Sequence, residues 1–260
     1  MRIAASLSAY PSRVPADTIL AIEISNPSAA ANGVSATGIA LARGGALLGG
    51  PFQLLAVEPL AADKGQDDDL LPAIDRICRS AGVRPADLGL IGVSIGPGGF
   101  TALRMAIATA KMIAEVTGAR CVGIPSAQVA AQRIQSPTPF AVALASKGED
   151  AYVTSFHPRT GGIAAAHGDA RLMCASDLAT LSVDLLVADR YLPQSMRDAA
   201  VAANITIVEP VFDPAACAEL AAAYTRAVDA MDLLPIYPRE PEAVVKWRAL
   251  KQSRERQERA

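Results

Sequence analysis

The chain has 260 residues, 51% of them apolar, with 24 Lys and Arg against 26 Asp and Glu for a net charge of −2. That is enough apolar material for one large domain or two small ones, and the balanced charge excludes a general electrostatic pull toward nucleic acid or anionic membrane. Aromatic residues, at 4%, do not furnish a surface built to stack bases.

Residues 1–17 (MRIAASLSAYPSRVPAD) carry an early arginine but no apolar block of signal-peptide length, and are expected to form a flexible leader. No uninterrupted apolar run approaches the ~20 residues that span a bilayer. Cys78, Cys121, Cys174 and Cys217 lie far apart and form no CxxC pair, which points to reduced, buried thiols in a cytoplasmic protein.

Three apolar runs open the ordered part: 18–25 (TILAIEIS), 36–43 (ATGIALAR) and 46–57, the last two separated by Gly44-Gly45. They read as a three-strand meander. In the next segment Leu70, Leu71, Ile74, Ile77, Cys78 and Ala81 fall on one helical face, an aspartate among 67–69 caps the start and Gly82 the end. Residues 88–95 form a buried strand. The sequence then runs GPGGFTALRMAIATA from Gly96: a glycine loop opening a helix that reaches about Thr117, followed by a strand at 120–124 and a helix capped by Ser126. After the break SPTP at 136–139 the pattern partly restarts, with strands at 140–145, 151–157, 163–166, 184–188 and 205–209. A meander followed by alternation thus appears twice, which predicts two similar α/β lobes. The expected division is a leader 1–17, a first lobe 18–135, a second lobe 136–232 and a tail 233–260.

Gly96, Gly98 and Gly99 allow close backbone approach, and Thr101 is placed to cap the helix, so the loop is a candidate anion cradle. Its spacing is neither GxxxxGK[ST] nor GxGxxG, and no lysine follows the last glycine. The other reading is a tight turn that aims the helix, with Pro97 fixing φ. Within the helix, Ala102, Ala106, Ala110 and Ala114 recur every four residues, flanked by Leu103, Ile107 and Ile113, while Met105, Met112 and Val116 form a second apolar stripe. The first suits close packing on a sheet. The second is either further core or a face for a partner.

The segment Gly96, Pro97, Gly98, Gly99, Phe100, Thr101, Ala102, Leu103, Arg104 resembles the GPGSFTGLR signature of the TsaB (YeaZ) family, paralogues of TsaD among the glycoprotease-like proteins. LAIEIS at 20–25, DDLLPAIDRICRSAG at 68–82, VGIPSAQVAAQ at 122–132, ASKGEDAYVTSF at 145–156 and LPIYPREPEAVVKW at 234–247 resemble further family segments in order. The chain departs from the pattern at Gly99 (for serine), Ala102 (for glycine), Glu23 (for aspartate) and at Gln66-Asp67-Asp68 (for His-Ser-Glu).

The resemblance implies an α/β, actin-like two-lobed fold, each lobe a mixed sheet flanked by helices. It implies a non-catalytic accessory subunit that binds and supports TsaD, with the ATPase TsaE, in making threonylcarbamoyladenosine beside the tRNA anticodon. The tRNA is then met through the complex, no membrane is involved, and a homodimer is possible when the protein is alone. No cofactor is implied for the isolated chain, though a nucleotide at an interface shared with partners is possible. The family contact carries over to the helices 70–81 and 101–116. The implied partner residues are Leu70, Leu71, Ile74, Ile77, Cys78, Ala102, Met105, Ala106, Thr109, Met112, Ile113 and Val116.

Residue chemistry agrees with an accessory role. The chain's two histidines, His157 and His167, cannot form the HxxxH pair of a TsaD-like metal site and read as solvated loop residues. Glu23 could hold Mg²⁺ through water, as in an actin-like kinase or ATPase, but no glycine follows until Gly33, and a strand-end carboxylate bonded to nearby backbone is the plainer reading. GPGGF contains no nucleophile. Lys147, Gly148, Glu149 and Asp150 read as a solvated turn. Arg248, Lys251, Arg254, Arg256 and Arg259 interleave with Glu255 and Glu258 as a solvated face.

Overall fold

The structure is a computed structural model that describes residues 17–26, 37–60, 66–145, 148–178, 180–239, 247–248 and 250–251. Residues 1–16 of the expected leader 1–17, Lys147, and Arg254, Arg256 and Arg259 of the tail lie outside the described residues.

The first sheet is built on β1 (Thr18–Glu23), every residue of which is buried. A strand reads as an unbroken apolar run when both of its faces are covered. β2 (Gly38–Arg43) and β3 (Gln53–Pro59) follow as an antiparallel meander, with Thr18 opposite Arg43 and Glu23 opposite Gly38. β4 (Leu88–Gly96) and β5 (Arg120–Pro125) add in parallel on the other side of β1, giving the order β3-β2-β1-β4-β5. Alternation along β1 sends Leu20 and Ile22 to one face and Ile19 and Ala21 to the other. On the first face lie α1 (Gln66–Ser80) and α2 (Phe100–Thr117), which contribute Leu70, Ile74, Ile77, Ala106 and Ala110 to the core.

β6 (Phe140–Ala145), β7 (Ala151–Phe156) and β8 (Arg171–Met173) form a second antiparallel meander, to which β9 (Leu185–Ala188) and β10 (Thr206–Val208) add in parallel. The order is β10-β9-β6-β7-β8, the same arrangement as the first sheet strand for strand. This is the mixed-sheet, two-lobe α/β architecture that the sequence pattern predicts. α3 (Ser126–Ala131) bridges from β5 toward the second sheet, where Phe140 stacks on Phe156 at 5.4 Å. α4 (Ala175–Leu178) and α5 (Gln194–Ala202) cover the second sheet's far face.

One element crosses back. α6 (Pro214–Ala223), expected in the second lobe, packs instead on the face of the first sheet opposite α1 and α2, against Ile19, Ala21, Ala40 and Leu90. Its sequence PAACAELAAA is apolar on every side but for Glu219, so it needs cover nearly all round. Its small residues let it press close: a Cβ on Gly92 would lie 2.5 Å from Ala221 Cβ. Asp213 caps it, accepting from the Ala215 amide at 2.8 Å.

Other expectations are corrected locally. α1 begins at Gln66, so the aspartates at 67–69 sit inside its first turn and do not cap it. Gly99 is the N-cap of α2 and Pro125 of α3, neither with a side-chain cap bond, so Thr101 and Ser126 lie within their helices. Ser126 turns inward, with its hydroxyl 2.9 Å from that of Ser94. Residues 46–50 are a glycine turn, and the third strand starts only at Gln53. Residues 163–166 make one bridge, Ala166 to Phe156, and no strand. The tail is anchored: Leu233 is 2% exposed and lies in the first-lobe core.

Candidate functional site: the glycine loop and the outer face of the paired helices

The loop is sewn to the end of β1. Gly96 has φ +101, reserved in practice for glycine, and joins Pro97 through a cis peptide. Gly98 passes so close to the Ser25 carbonyl that a Cβ would sit 2.1 Å from its oxygen, and the Gly99 amide donates to that carbonyl at 2.7 Å. Asn26 Nδ2 donates to Pro97 O at 3.2 Å and to Ser25 Oγ at 2.9 Å. Ser25, through its amide (2.8 Å) and hydroxyl (2.6 Å), donates to Glu23 Oε1. The Gly99 amide is thus engaged by protein, and the loop's geometry is that of a turn aiming α2.

Glu23 is fully buried, and among the described residues its Oε2 has no hydrogen-bond partner. Burial pushes this carboxyl above its ordinary range, against the opposing hydrogen bonds from the Ser25 side chain and amide. It is sealed beneath the loop.

A strap from the C-terminal part runs along α2. Val228 N donates to Cys121 O (2.8 Å), Lys111 Nζ to Met231 O (2.9 Å), and Ile236 N to Ile95 O (2.8 Å). At the start of α2, Tyr237 packs on Phe100 with centroids 5.6 Å apart. Arg104 lies 3.8 Å over the Phe100 ring and donates to Tyr237 Oη at 3.2 Å. Arg239 then pairs with Asp150, and Glu149 accepts from Ser195 Oγ at 2.7 Å. The acidic turn is therefore engaged at both carboxylates and is not merely solvated.

The two helices divide the predicted partner residues. Leu70, Ile74, Ile77, Cys78, Ala102, Ala106 and Thr109 are under a tenth exposed, spent on the protein's own core, and they are removed from the list of contact residues. The reason is geometric: α1 and α2 are the only helical cover of that sheet face among the described residues, so each turns its richest apolar stripe inward. Met105 and Ile113 are half-buried. Leu71 is 50% exposed, Met112 49% and Val116 82%, leaving an apolar residue outward on α1 and two on α2.

Between the lobes is a cavity of about 370 Å³, lined by Asn26, Pro97, Gly98, Gly99, Leu144, Asp189 and Tyr191. Asp189 accepts from the Tyr191 amide at 2.9 Å, and burial raises its carboxyl above the usual range. Among the described residues that line it there is no lysine or arginine. The buried thiols of Cys78, Cys121 and Cys217 are all pushed up by burial, Cys121 to about 11, which keeps them protonated and inert. Among the described residues there is no cluster of three or more metal-binding side chains, and no helix is long and apolar enough to cross a membrane.

Residues 56–175 match the family model for TsaD, described as tRNA N6-adenosine threonylcarbamoyltransferase. Two solved structures share the fold. One is an uncharacterized protein from Pseudomonas aeruginosa with similarity to peptidase YEAZ, 20% identical, covering 86% of this chain and 100% of its own, with a TM-score of 0.62. The other is YeaZ from Pseudomonas aeruginosa, 20% identical, covering 85% of this chain and 99% of its own, with a TM-score of 0.60. At 20% identity these two structures show a shared fold. The family match spans the end of β3 through the start of α4, including the glycine loop and both long helices.

Proposed function

We propose that this chain is a non-catalytic partner protein that binds and supports a TsaD-like catalytic subunit during threonylcarbamoyl transfer to the adenosine beside the tRNA anticodon. What carries the reading is the outer face of α1 and α2, where Leu71, Met112 and Val116 stand exposed while Leu70, Ile74, Ile77 and Ala106 are buried. Exposed apolar side chains on a rigid helix pair suit a protein contact. The family match and the YeaZ-like fold support the choice of partner. His157, just past β7, and His167, on the antiparallel return beside it, lie in the second lobe, which fits a chain that leaves the chemistry to another subunit. In this reading a TsaE-like ATPase joins the assembly, tRNA is met through the complex, and any nucleotide sits where subunits meet. The protein works in the cytoplasm, and alone it can pair through the same face with a second copy.

The test is Met112→Glu, which sets a charge at a half-exposed position of the proposed contact without entering the core. Co-purification with the cognate TsaD-like subunit should fall sharply. Undiminished co-purification would place the contact elsewhere. A stand-alone nucleotide-hydrolysing or phosphoryl-transferring enzyme is the competing reading, drawn from the interlobe cavity. Calorimetric binding of ATP with Mg²⁺ to the isolated chain would be the result that favours it.

A further inference from the structure

His157 and His167 are the chain's only histidines. The chain leaves β7, reverses through Gly161 and Gly162, and returns antiparallel. Phe156 bridges Ala166, His157 N donates to Ala165 O at 3.1 Å, and His167 N donates to Ser155 O at 2.7 Å. In this register 157 and 167 are diagonal cross-strand neighbours on one face, and the intervening Phe156 points into the core at 0% exposure. Both histidines are exposed, and their rings approach edge-on with centroids 4.7 Å apart and planes at 74°.

We propose that His157 and His167 form a two-imidazole chelate for a borderline divalent ion of the nickel–copper–zinc group. Imidazole is the side chain such ions favour. With metal–nitrogen bonds of about 2.0–2.1 Å and an angle at the metal between roughly 90° and 110°, two coordinated imidazoles have centroids about 4.5–5 Å apart. The observed separation falls in that window before any ion is bound. Water completes the coordination shell, since the site is open to solvent. A bound ion clips the neck of the 158–166 loop. That loop is docked on α3 and the chain just beyond it: Gln128 Nε2 donates to Ala164 O at 2.9 Å, Ala164 N donates to Gln132 Oε1 at 2.9 Å, and Arg159 donates to Ile134 O at 2.6 Å. The ion therefore tightens the contact between α3 and the second lobe.

The experiment titrates Cu²⁺ into the full, untagged chain by calorimetry, with electron paramagnetic resonance on the one-equivalent complex. One ion should bind per chain, with superhyperfine coupling to two nitrogens and a rise in Tm, because the ion binds the folded form. His157→Ala and His167→Ala should each lose the site and the Tm rise. Both positions are exposed, so the metal-free Tm of each variant should match the parent and shows that folding is intact. Wild-type affinity in either variant, a one-nitrogen spectrum, or no binding at all would overturn the proposal.

Discussion

Glu23 is the residue at which burial and charge are most at odds. Its carboxyl stands at the end of the central strand with Oε1 held by Ser25 and Oε2 buried without a partner among the described residues. Because burial raises its folded-state pKa above the ordinary 4.5, the folded protein holds this proton more tightly than the unfolded chain does. The stabilisation is therefore complete below about 4.5 and is lost as pH rises through the folded-state value. Glu23→Gln keeps an acceptor for Ser25 and removes the titration. Urea unfolding at a series of pH values should show the parent losing stability relative to Glu23→Gln as pH rises from about 4.5 toward neutrality. Two profiles that stay parallel would mean that the carboxyl does not titrate in this way. Nothing in the local sequence Glu23-Ile24-Ser25-Asn26 marks the carboxyl as sealed. That follows from the glycine loop closing over Ser25, a contact between segments about seventy residues apart. The histidine pair was also missed, although PRTGG between two apolar stretches is a hairpin signal. Applying the register to it would have put 157 diagonal to 167.

At the scale of elements, α2 is held on three sides: by the sheet, by α1, and by the strap that ends at Arg239. Leu233 is the strap's anchor, 2% exposed among first-lobe core residues, and Gly123 leaves room for it, since a Cβ there would be 3.1 Å from Leu233 Cδ1. Leu233→Ala should cost roughly 2–4 kcal/mol, by lost transfer energy and the cavity left behind. A lowered urea midpoint with unchanged slope would confirm it, and cleavage between 226 and 239 by limited proteolysis should become faster. The first meander and strands β6 and β7 of the second were legible because apolar runs broken by glycine-containing turns leave few alternatives. β8 was missed because three residues, Arg171–Met173, carry no period to read. The helix faces were half legible. Spacing identified which residues of α1 and α2 are apolar, but only the sheet beneath them decides that Ile74 and Ala106 turn inward while Leu71 and Met112 do not.

At the scale of the whole molecule, the chain passes between sheets twice, once after α3 and once before α6. Arg133 on the first crossing pairs with Asp213 on the second, and also with Glu219 inside α6, with side-chain exposures of 28 to 29%. Gln132 Nε2 adds a bond to Glu219 Oε2 at 3.0 Å. The two crossings are thereby tied to each other. Arg133→Ala strands two half-buried carboxylates and should cost about 1–3 kcal/mol, less than a fully buried pair would because solvent screens it. Arg133→Lys should restore only part, since a single ammonium cannot span both acids as the guanidinium fork does. Thermal denaturation of the three proteins measures this, and equal midpoints for Arg133→Ala and the parent would show that the tie contributes nothing.

The return of α6 to the first sheet has a consequence for biosynthesis. Strands β1 to β5 are all translated by Pro125, yet the wall that seals one side of them arrives only with residues 214–223. A nascent chain must therefore emerge through nearly ninety further residues, from 126 to 213, before its earliest-made half can close. Until then Ile19, Ala21, Ala40 and Leu90 face water, and the ribosome carries an apolar sheet open on one side, the kind of surface that chaperones grasp.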